Sequence, residues 1–153
     1  MVNFITGTNP VLYILMRSDL TSLNAGKAMA QASHASNAMV HKIKHSGPVP
    51  SKHIKQLFNK WEGETKQGFG TCLVLDVGSE EHMVDVINAF QTYQKNVGVK
   101  NAEYVSGIIL DTTYPVMDGY ITHYIAVHTC AYVFMDKNHE GLSQILEHLP
   151  LYK

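Results

Sequence analysis

The strongest constraint on the fold lies between Val11 and Ser36, where an apolar run is followed closely by a segment rich in small residues. The run VLYILM, which starts at Val11, is continuously apolar, as is typical of a strand buried on both faces. Asn24 is a good N-cap, and the alanine-rich residues after it favour a helix. We therefore expect a strand, a loop and a helix from about Asn24 to Lys44 as the first unit of an α/β domain.

One face of this helix carries three polar side chains. Lys27, Gln31 and His34 are spaced i, i+4 and i+7, so they project from the same side. A lysine in the first turn opposes the helix dipole, so helix propensity does not explain Lys27. It is either a surface lysine with a packed stem or a cation beside an oxyanion or a phosphate. Gln31 and His34 are either hydrogen-bonded structural groups or side chains that line a polar cleft.

The run from Arg17 to Ser36, RSDLTSLNAGKAMAQASHAS, resembles the archaeal- and eukaryotic-type (second-class) peptidyl-tRNA hydrolases. That family carries an apolar strand, then Arg-x-Asp-Leu, then a Gly-Lys-x-Ala-Ala-Gln-x-x-His-Ala helix. The chain also ends, from His148 to Lys153, much as the family does. The matching positions in the run are Arg17, Asp19, Leu20, Gly26, Lys27, Ala28, Ala30, Gln31, His34 and Ala35.

The resemblance implies a catalytic lysine at Lys27 and a functional aspartate at Asp111. Asp111 follows a predicted strand from Tyr104 to Leu110, and an aspartate at a strand end is often only a turn former. A carboxylate near a lysine, however, stays ionised and can orient or deprotonate a water molecule.

A hydroxyl group completes the site that the resemblance implies, and its position is open. The family's second threonine falls at Thr129, which we take as the third catalytic residue, or at Cys130. Thr112 and Thr113 are the alternatives, because they follow Asp111 directly.

The chain departs from the family after Asp111. The family continues Asp-Ala-Gly-Arg-Thr-Gln, whereas this chain reads DTTYPVMDGYITHYIAVHTCAYVF, which lacks the glycine and the arginine. Met117-Asp118-Gly119-Tyr120 predicts a hairpin turn, with strand-forming residues on both sides. We therefore expect an added β-ribbon from Tyr114 to Thr129 that borders the cleft.

The remaining pattern completes the predicted fold, a three-layer α/β/α architecture with a mixed, mostly parallel sheet of about four strands plus the ribbon. We expect residues 1–153 to form a single peptidyl-tRNA hydrolase-like domain. The other predicted elements are a helix capped by Ser51 that runs to about Glu62, a strand from Thr71 to Val77, a helix capped by Ser79 and followed by Gly98, a strand from Cys130 to Met135, and a helix from about Asn138 to Glu147.

Basic side chains concentrate between His41 and Lys60, although the net charge of the chain is −1. This stretch contains no acidic residue, and it is either a solvated helix face or a phosphate-contacting patch beside the cleft. The roles of Arg17 and Asp19 are also open, since these residues could bind substrate, pair with each other or cap the loop. The lysines of the stretch are Lys42, Lys44, Lys52, Lys55 and Lys60.

Composition restricts the other classes of function. The nine histidines are scattered without a metal-binding pattern, so we expect no metal site. The resemblance implies no organic cofactor either. Cys72 and Cys130 lie in apolar runs, and we expect two buried thiols in a reducing compartment. With no apolar run near the ~20 residues of a membrane span and no signal peptide, the expected location is the cytoplasm.

The resemblance implies hydrolysis of the ester bond of peptidyl-tRNA, with tRNA as the partner and no membrane partner; a homodimer is left open. Gly-x-Ser-x-Gly is absent, which argues against a covalent serine route. The alternatives are a non-catalytic relative that binds tRNA, a nucleotide or a protein in the same cleft, and a different hydrolase that uses His123 and His128. The expected substrate-binding residues are Arg17, Asp19, Gln31, His34, Lys42 and Lys44.

Overall fold

The computed structural model describes residues 7–45, 51–97 and 102–153. The predicted helices and the first two strands are confirmed within a few residues, whereas Gly98 lies outside the described residues. The elements are β1 (Pro10–Arg17), α1 (Ala25–His45), α2 (Lys52–Gly63), β2 (Cys72–Gly78), α3 (Glu80–Val97), β3 (Tyr104–Asp118), β4 (Ile121–Asp136) and α4 (Glu140–Leu146).

The four described strands form one mixed sheet in the order β2-β1-β4-β3. β1 pairs in parallel with β2 and antiparallel with β4, and β3 pairs antiparallel with β4. The mixed α/β sheet is therefore confirmed. The expectation of a mostly parallel sheet is wrong, because only one of the three described strand pairs is parallel. The reason is that a tight turn joins β3 directly to β4, which only antiparallel strands allow, and β4 then lies between β1 and β3.

Helices cover both faces of this sheet, as the alternation along β1 shows. One set of β1 side chains packs with α1 and α2, and the other set packs with α3 and α4. Small residues on α1, among them Ala28 and Ala35, belong to the first cluster and let the helix lie close to the sheet. The first set is Leu12, Ile14 and Met16, and the second is Val11, Tyr13 and Leu15.

Three of the four described helices start at the side chains that the sequence predicts as caps. The Asn24 side chain accepts a hydrogen bond from the Lys27 amide at 2.9 Å. Ser51 and Ser79 each accept one from the backbone amide three residues further on, both at 3.2 Å. Each cap satisfies an amide that has no partner within its helix, so these contacts fix where α1, α2 and α3 begin.

β3 and β4 are much longer than predicted and form the ribbon that the sequence indicates. β3 has 15 residues and continues past Asp111, so the prediction that Asp111 ends a strand is wrong. Thr112, Thr113 and Tyr114 favour extended structure, and Pro115 is tolerated because β3 is an edge strand. The hairpin turn is confirmed, with a φ of 58° at Gly119 that suits glycine.

Two register shifts interrupt the pairing of β3 with β4 around Asp111. One lies between Ile109 and Leu110, and the other lies between Asp111 and Tyr114. Such bulges change the direction in which side chains point, and they are frequent next to functional sites. The first shift gives β4 one extra residue, Thr129, so that Thr129 and Cys130 both contact Gln31 on α1. Asp111 lies on the same side of the sheet as Ile109, as the ordinary alternation along β3 requires.

The two cysteines differ in burial. Cys130 is buried on β4, and burial raises the pKa of its thiol to about 12. Cys72 is exposed, so the expectation of a buried thiol is wrong there, because Cys72 is the first residue of β2 at the edge of the sheet. Among the described residues, no helix is long and apolar enough to cross a membrane.

Candidate functional site

The polar row predicted on α1 faces the edge strand β3. The Lys27 ammonium donates to the carbonyl oxygen of Pro115 at 2.8 Å, and the Lys42 ammonium donates to the carbonyl oxygen of Ser106. These two lysines are 15 positions apart on α1, which corresponds to about 22 Å along the helix axis. The helix thus lies alongside β3 with a lysine contact near each end.

Gln31 lies between these lysines and links β3 to β4. Its side-chain amide donates to the Asp111 carboxylate at 2.7 Å, and its amide oxygen accepts from the Thr129 hydroxyl at 2.6 Å. Gln31 is only 3% exposed, so these bonds satisfy a buried amide. Because a carboxylate only accepts, the amide nitrogen must point at Asp111 and the oxygen at Thr129.

Asp111 is a carboxylate held by neutral donors. Partial burial acts to raise its pKa, but hydrogen bonds from Gln31 and Thr113, together with the charge of His34, outweigh burial and lower the pKa. The Thr113 backbone amide supplies one of these bonds, at 3.0 Å. The carboxylate is therefore ionised at neutral pH and is only partly covered.

An open groove of about 400 Å³ runs beside Asp111. Its wall on α1 is formed by His34, which is exposed, and by Ala38. The wall on β3 is formed by residues 108–113, which include Asp111, Thr112 and Thr113. This volume, with one carboxylate and one imidazole on it, suits part of a polar ligand.

The candidate hydroxyl and thiol groups differ in how deeply they are buried. Thr129 is fully buried and reaches the groove only through Gln31. The buried Cys130 thiol contacts the backbone oxygen of Gln31 at 3.5 Å, and its raised pKa makes it a poor nucleophile. Thr112 and Thr113 are exposed and line the groove, so theirs are the hydroxyls that a ligand could touch.

Lys27 is held by the ribbon and is not part of the wall of the groove. Its ammonium lies 5.0 Å from the ring centroid of Tyr114, in addition to its bond to Pro115. Tyr114 is buried, and its hydroxyl is 3.0 Å from the Ser22 hydroxyl. The ribbon is thereby attached to the first turn of α1. A lysine ammonium has three N–H donors, so two remain for another partner.

Arg17 and Asp19 form a separate cluster with Glu80 and His128. Arg17 is 8% exposed and makes a two-point contact with the Asp19 carboxylate at 2.8 and 2.9 Å. It also donates to Glu80 at 3.2 Å and to the His128 carbonyl oxygen, while Glu80 contacts the His128 ring at 2.7 Å. The hydrogen bond to Asp19 is the main reason why the pKa of Arg17 is raised, and the same bond lowers the pKa of Asp19. The charges of Arg17 and Asp19 are thus paired with each other within the protein.

The lysines between His41 and Lys60 fall into two groups: some contact another group of the protein, and others do not. Lys44 pairs with Glu62 at 3.0 Å, and Lys60 donates to the backbone oxygen of Thr8. Lys52 and Lys55 are exposed on α2 without a hydrogen bond to any described residue. Lys42 belongs to the engaged group through Ser106. Two lysines are therefore fully available to an outside anion.

His123 and His128 do not form one site within the described part of the chain. His123 lies 3.6 Å from Asp118 near the tip of the ribbon, whereas His128 contacts Glu80. Side chains alternate along a strand, and five positions separate these two, so they point to opposite faces. This geometry does not support a hydrolase built on the two histidines.

Sequence reasoning missed the partners that organise the site. The roles of Glu80 and Tyr114 have no local signal, because each acts on a residue at least 63 positions away. The bond between Gln31 and Thr129 joins residues 98 positions apart and is equally invisible in a motif. Pro115 does carry a usable signal, since a proline among strand-forming residues indicates an edge strand rather than a strand end.

The structure is that of an α/β protein with an open, partly polar groove between its first helix and a sheet edge. The family model of peptidyl-tRNA hydrolase PTH2 matches residues 10–102, and the chain belongs to this family. The matched residues include Arg17, Asp19, Lys27, Gln31 and His34 and end before β3 begins. A comparison with curated proteins gives no match.

Proposed function

We propose that this chain hydrolyses the ester bond of peptidyl-tRNA in the cytoplasm, as one domain over residues 1–153, and releases peptide and tRNA. The observation that carries the proposal is the Asp111 carboxylate, which is ionised, lines an open groove and is held by a buried glutamine. Membership of the PTH2 family supports the same chemistry.

Asp111 orients and activates the attacking water. An ionised carboxylate accepts hydrogen bonds, and its contacts with Gln31 and Thr113 leave room for a water molecule on the groove side. Ester hydrolysis needs a water aimed at the carbonyl carbon and a group that takes up its proton. Thr112 and Thr113 supply exposed hydroxyls that can contact the same water or the ribose.

Lys27 stabilises negative charge on the substrate. The tetrahedral intermediate carries an oxyanion, and a cation aimed at it lowers the barrier. The Lys27 ammonium uses one donor on Pro115 and keeps two, and it lies in the first turn of α1, where the helix dipole also favours an anion. The negative group that the Lys27 ammonium contacts is either the oxyanion or a neighbouring phosphate.

Thr129 belongs to the catalytic set as a positioning residue. Its buried hydroxyl fixes the orientation of the Gln31 amide, and that amide in turn holds Asp111. His34 forms the opposite wall of the groove and contacts the substrate. Gln31 is likewise buried and acts on the substrate through Asp111.

The tRNA backbone binds on the lysine-rich side of α1 and α2. Lys52 and Lys55 are free to contact phosphates, and Lys42 and Lys44 can exchange their present partners for phosphate oxygens. Arg17 is instead assigned to holding β1 to α3 through Glu80, and Asp19 is assigned to pairing with Arg17.

The test is multiple-turnover hydrolysis by the purified protein. We expect release of tRNA from N-acetyl-aminoacyl-tRNA and longer peptidyl-tRNAs well above the spontaneous rate. The same tRNA charged with an unblocked amino acid serves as the control for ester stability. No release above background from any peptidyl-tRNA would reject the proposal.

A second candidate is a relative that binds tRNA, a nucleotide or a protein without hydrolysis. Two observations favour it: the family match ends at residue 102, before Asp111, and the ribbon holds Lys27. This candidate predicts peptidyl-tRNA that is bound but stays intact. The hydrolysis assay, combined with a binding measurement on the same sample, separates the two.

A further inference from the structure

One buried tyrosine has a hydroxyl group that no described part of the protein uses. Tyr132 lies on β4 in the cluster beneath α1 and is 4% exposed. Its hydroxyl makes no hydrogen bond with a described residue. No described side-chain oxygen or nitrogen is both fully buried and unpaired, so this hydroxyl must reach solvent. Burial raises the pKa of Tyr132, so the hydroxyl keeps its proton and can donate it to an anion.

Gly107 explains how a buried ring brings its hydroxyl to the surface. Gly107 is the partner of Tyr132 across β3 and β4, and a methyl group at Gly107 would lie 2.6 Å from the hydroxyl oxygen and 2.7 Å from the ring. The ring therefore lies across the position that a side chain of residue 107 would occupy, a close approach that glycine permits. Since β3 is the edge strand of the described sheet, a ring that crosses it from β4 ends at the open edge.

Lys42 reaches the same point of β3 from α1. Its ammonium donates to the carbonyl oxygen of Ser106, the residue bonded to Gly107. A lysine ammonium has three N–H donors, so two remain for another partner. The Tyr132 hydroxyl and the Lys42 ammonium thus lie against one peptide unit. α1 contains no acidic residue that would repel an anion there. This combination of a full positive charge and a neutral donor suits a phosphate group.

The two donors lie at the end of the groove, at a distance from Asp111. Ala38 lines the groove one helical turn before Lys42, and the wall on β3 begins at residue 108, next to Gly107. Four residues of β3 separate Gly107 from Asp111, which corresponds to about 13 Å at about 3.3 Å per residue. Phosphates of one strand are about 3.4 Å apart along a stacked helix and further apart when extended, so this distance spans roughly two to four nucleotides.

We infer that the Tyr132 hydroxyl and the Lys42 ammonium form a phosphate subsite for the 3′-terminal strand of tRNA. This inference rests on the proposed function, which places the ester bond at the 3′ end beside Asp111. Phosphate contacts fix the position of a strand without reading its bases. The subsite therefore holds the strand in register, so that its 3′ end reaches the carboxylate.

The first test compares intact, uncharged tRNA with the same tRNA lacking its last three nucleotides. In filter binding, the wild-type protein should bind the intact form at least about fivefold more tightly, because a hydrogen bond to an ionised group is stronger than one between neutral groups. Tyr132→Phe removes the hydroxyl and keeps the ring, so it should lose most of this preference. Lys42→Gln, at an exposed position, makes the same comparison should Tyr132→Phe fail to fold.

Tyr13→Phe is the matched control for the loss of a buried phenol. Tyr13 is 6% exposed and belongs to the cluster on the opposite face of the sheet, so this variant should keep the preference for intact tRNA. Equal binding of the two tRNA forms by the wild type would overturn the inference. A preference that survives Tyr132→Phe, or one that Tyr13→Phe removes equally, would overturn it as well.

A double-variant cycle tests whether both groups hold one phosphate. Lys42→Gln added to Tyr132→Phe should change the affinity for intact tRNA by less than about twofold, because the shared contact is already lost. Lys44→Gln added to Tyr132→Phe is the control and should be additive, since Lys44 pairs with Glu62 instead. Additive effects of Lys42→Gln and Tyr132→Phe would show two separate contacts and overturn the subsite.

Inorganic phosphate and turnover distinguish the remaining outcomes. Inorganic phosphate that removes the preference for intact tRNA, where chloride at equal ionic strength does not, would assign the two donors to a free anion and overturn the inference. Tyr132→Phe should raise KM for peptidyl-tRNA several-fold and leave kcat within about twofold. A fall in kcat without a change in KM would overturn a binding role. A preference that depends on Tyr132 without any hydrolysis rejects the proposed function and keeps the subsite.

Discussion

Two polar clusters contact β4 at neighbouring positions, and they differ in the groups that stabilise their carboxylates. His128 points to the cluster of Arg17, Asp19 and Glu80, whereas Thr129 points to Gln31 and through it to Asp111. In the first cluster, a buried guanidinium lies between two carboxylates. In the second, one carboxylate is held by an amide and a backbone N–H, and it has no ion-pair partner among the described residues.

We infer from this difference that the first cluster is structural and the second is reactive. A carboxylate paired with arginine has its charge neutralised and its oxygens occupied. A carboxylate stabilised by neutral donors stays ionised while its charge remains available to water or substrate. Asp19 and Asp111 both have lowered pKa values, but different causes lower them. The cause of the shift, rather than the shift itself, is what indicates function.

The same substitution, aspartate to asparagine, in both clusters tests this assignment of roles most sharply. Asp111→Asn should reduce kcat/KM for peptidyl-tRNA by roughly 10²–10⁴-fold, because it removes the base that activates water. Asp19→Asn should leave kcat/KM within a few-fold and lower the free energy of unfolding by about 1 kcal/mol, since that exposed carboxylate only pairs with Arg17. Initial rates and urea denaturation measure both effects.

The opposite pattern would reverse the assignments of the two clusters. If Asp19→Asn removes activity while Asp111→Asn only destabilises the fold, the cluster around Arg17 is the reactive one. Equal loss of activity in both variants would mean that charge pairing does not distinguish a structural cluster from a reactive one.

Lys27 is the cation that the proposed function adds to Asp111, as Arg17 is the cation of the other cluster. Lys27→Met should lower kcat by about 10²–10³-fold, because the oxyanion loses its cation. Lys27→Arg is the matched control, since it keeps the charge and the contact with the Tyr114 ring. Wild-type turnover by Lys27→Met would contradict a catalytic role, and loss of folding would show that the contact of Lys27 with the ribbon is its main role.

Gln31 tests whether neutral donors keep Asp111 ionised. The pKa of Asp111 lies below the ordinary value of about 3.9, so activity should persist until the pH falls through that lowered pKa. Gln31→Met removes the hydrogen bond that favours the charged form, so the acid limb of kcat/KM should move to higher pH. We also expect roughly 10–10²-fold lower activity at neutral pH from misplacement of Asp111. An unchanged acid limb would mean that Gln31 does not control this carboxylate.

The smallest expected effect concerns the lysines on α1 and α2. Lys52→Gln with Lys55→Gln should weaken tRNA binding several-fold and reduce the slope of log K against log salt by about 0.7–0.9 for each phosphate that is no longer neutralised. Lys42→Gln with Lys44→Gln should reduce it less, because these lysines already have partners within the protein. Filter binding over a range of salt concentrations measures both slopes. Identical slopes in the wild type and all variants would assign these lysines to an ordinary solvated surface.

The sequence predicted local features of the fold well. The caps at Asn24, Ser51 and Ser79 and the turn at Gly119 follow from residue preferences within a few positions, and all of them are present. The direction of β4 was missed, because it depends on which strand lies beside β1. Nothing within one element encodes that neighbour.

The candidate site was predictable only where its residues share one element. Lys27, Gln31 and His34 lie on one helix, so their common face follows from their spacing. Asp111 reaches Gln31 because the sheet places β3 beside α1, and no pattern within one element encodes that neighbour. Thr129 contacts Gln31 because a register shift makes it the extra residue on β4, so its indirect role is visible only in the folded protein.

The measurement that tests the central claim most directly is a single-turnover reaction with the wild-type protein in excess over labelled peptidyl-tRNA. Bound and free substrate, released peptide and tRNA are followed in the same sample. The account predicts that bound peptidyl-tRNA is converted to free peptide and tRNA far faster than in buffer. Peptidyl-tRNA that binds fully and stays intact would contradict it, and the groove would then be a binding site without chemistry.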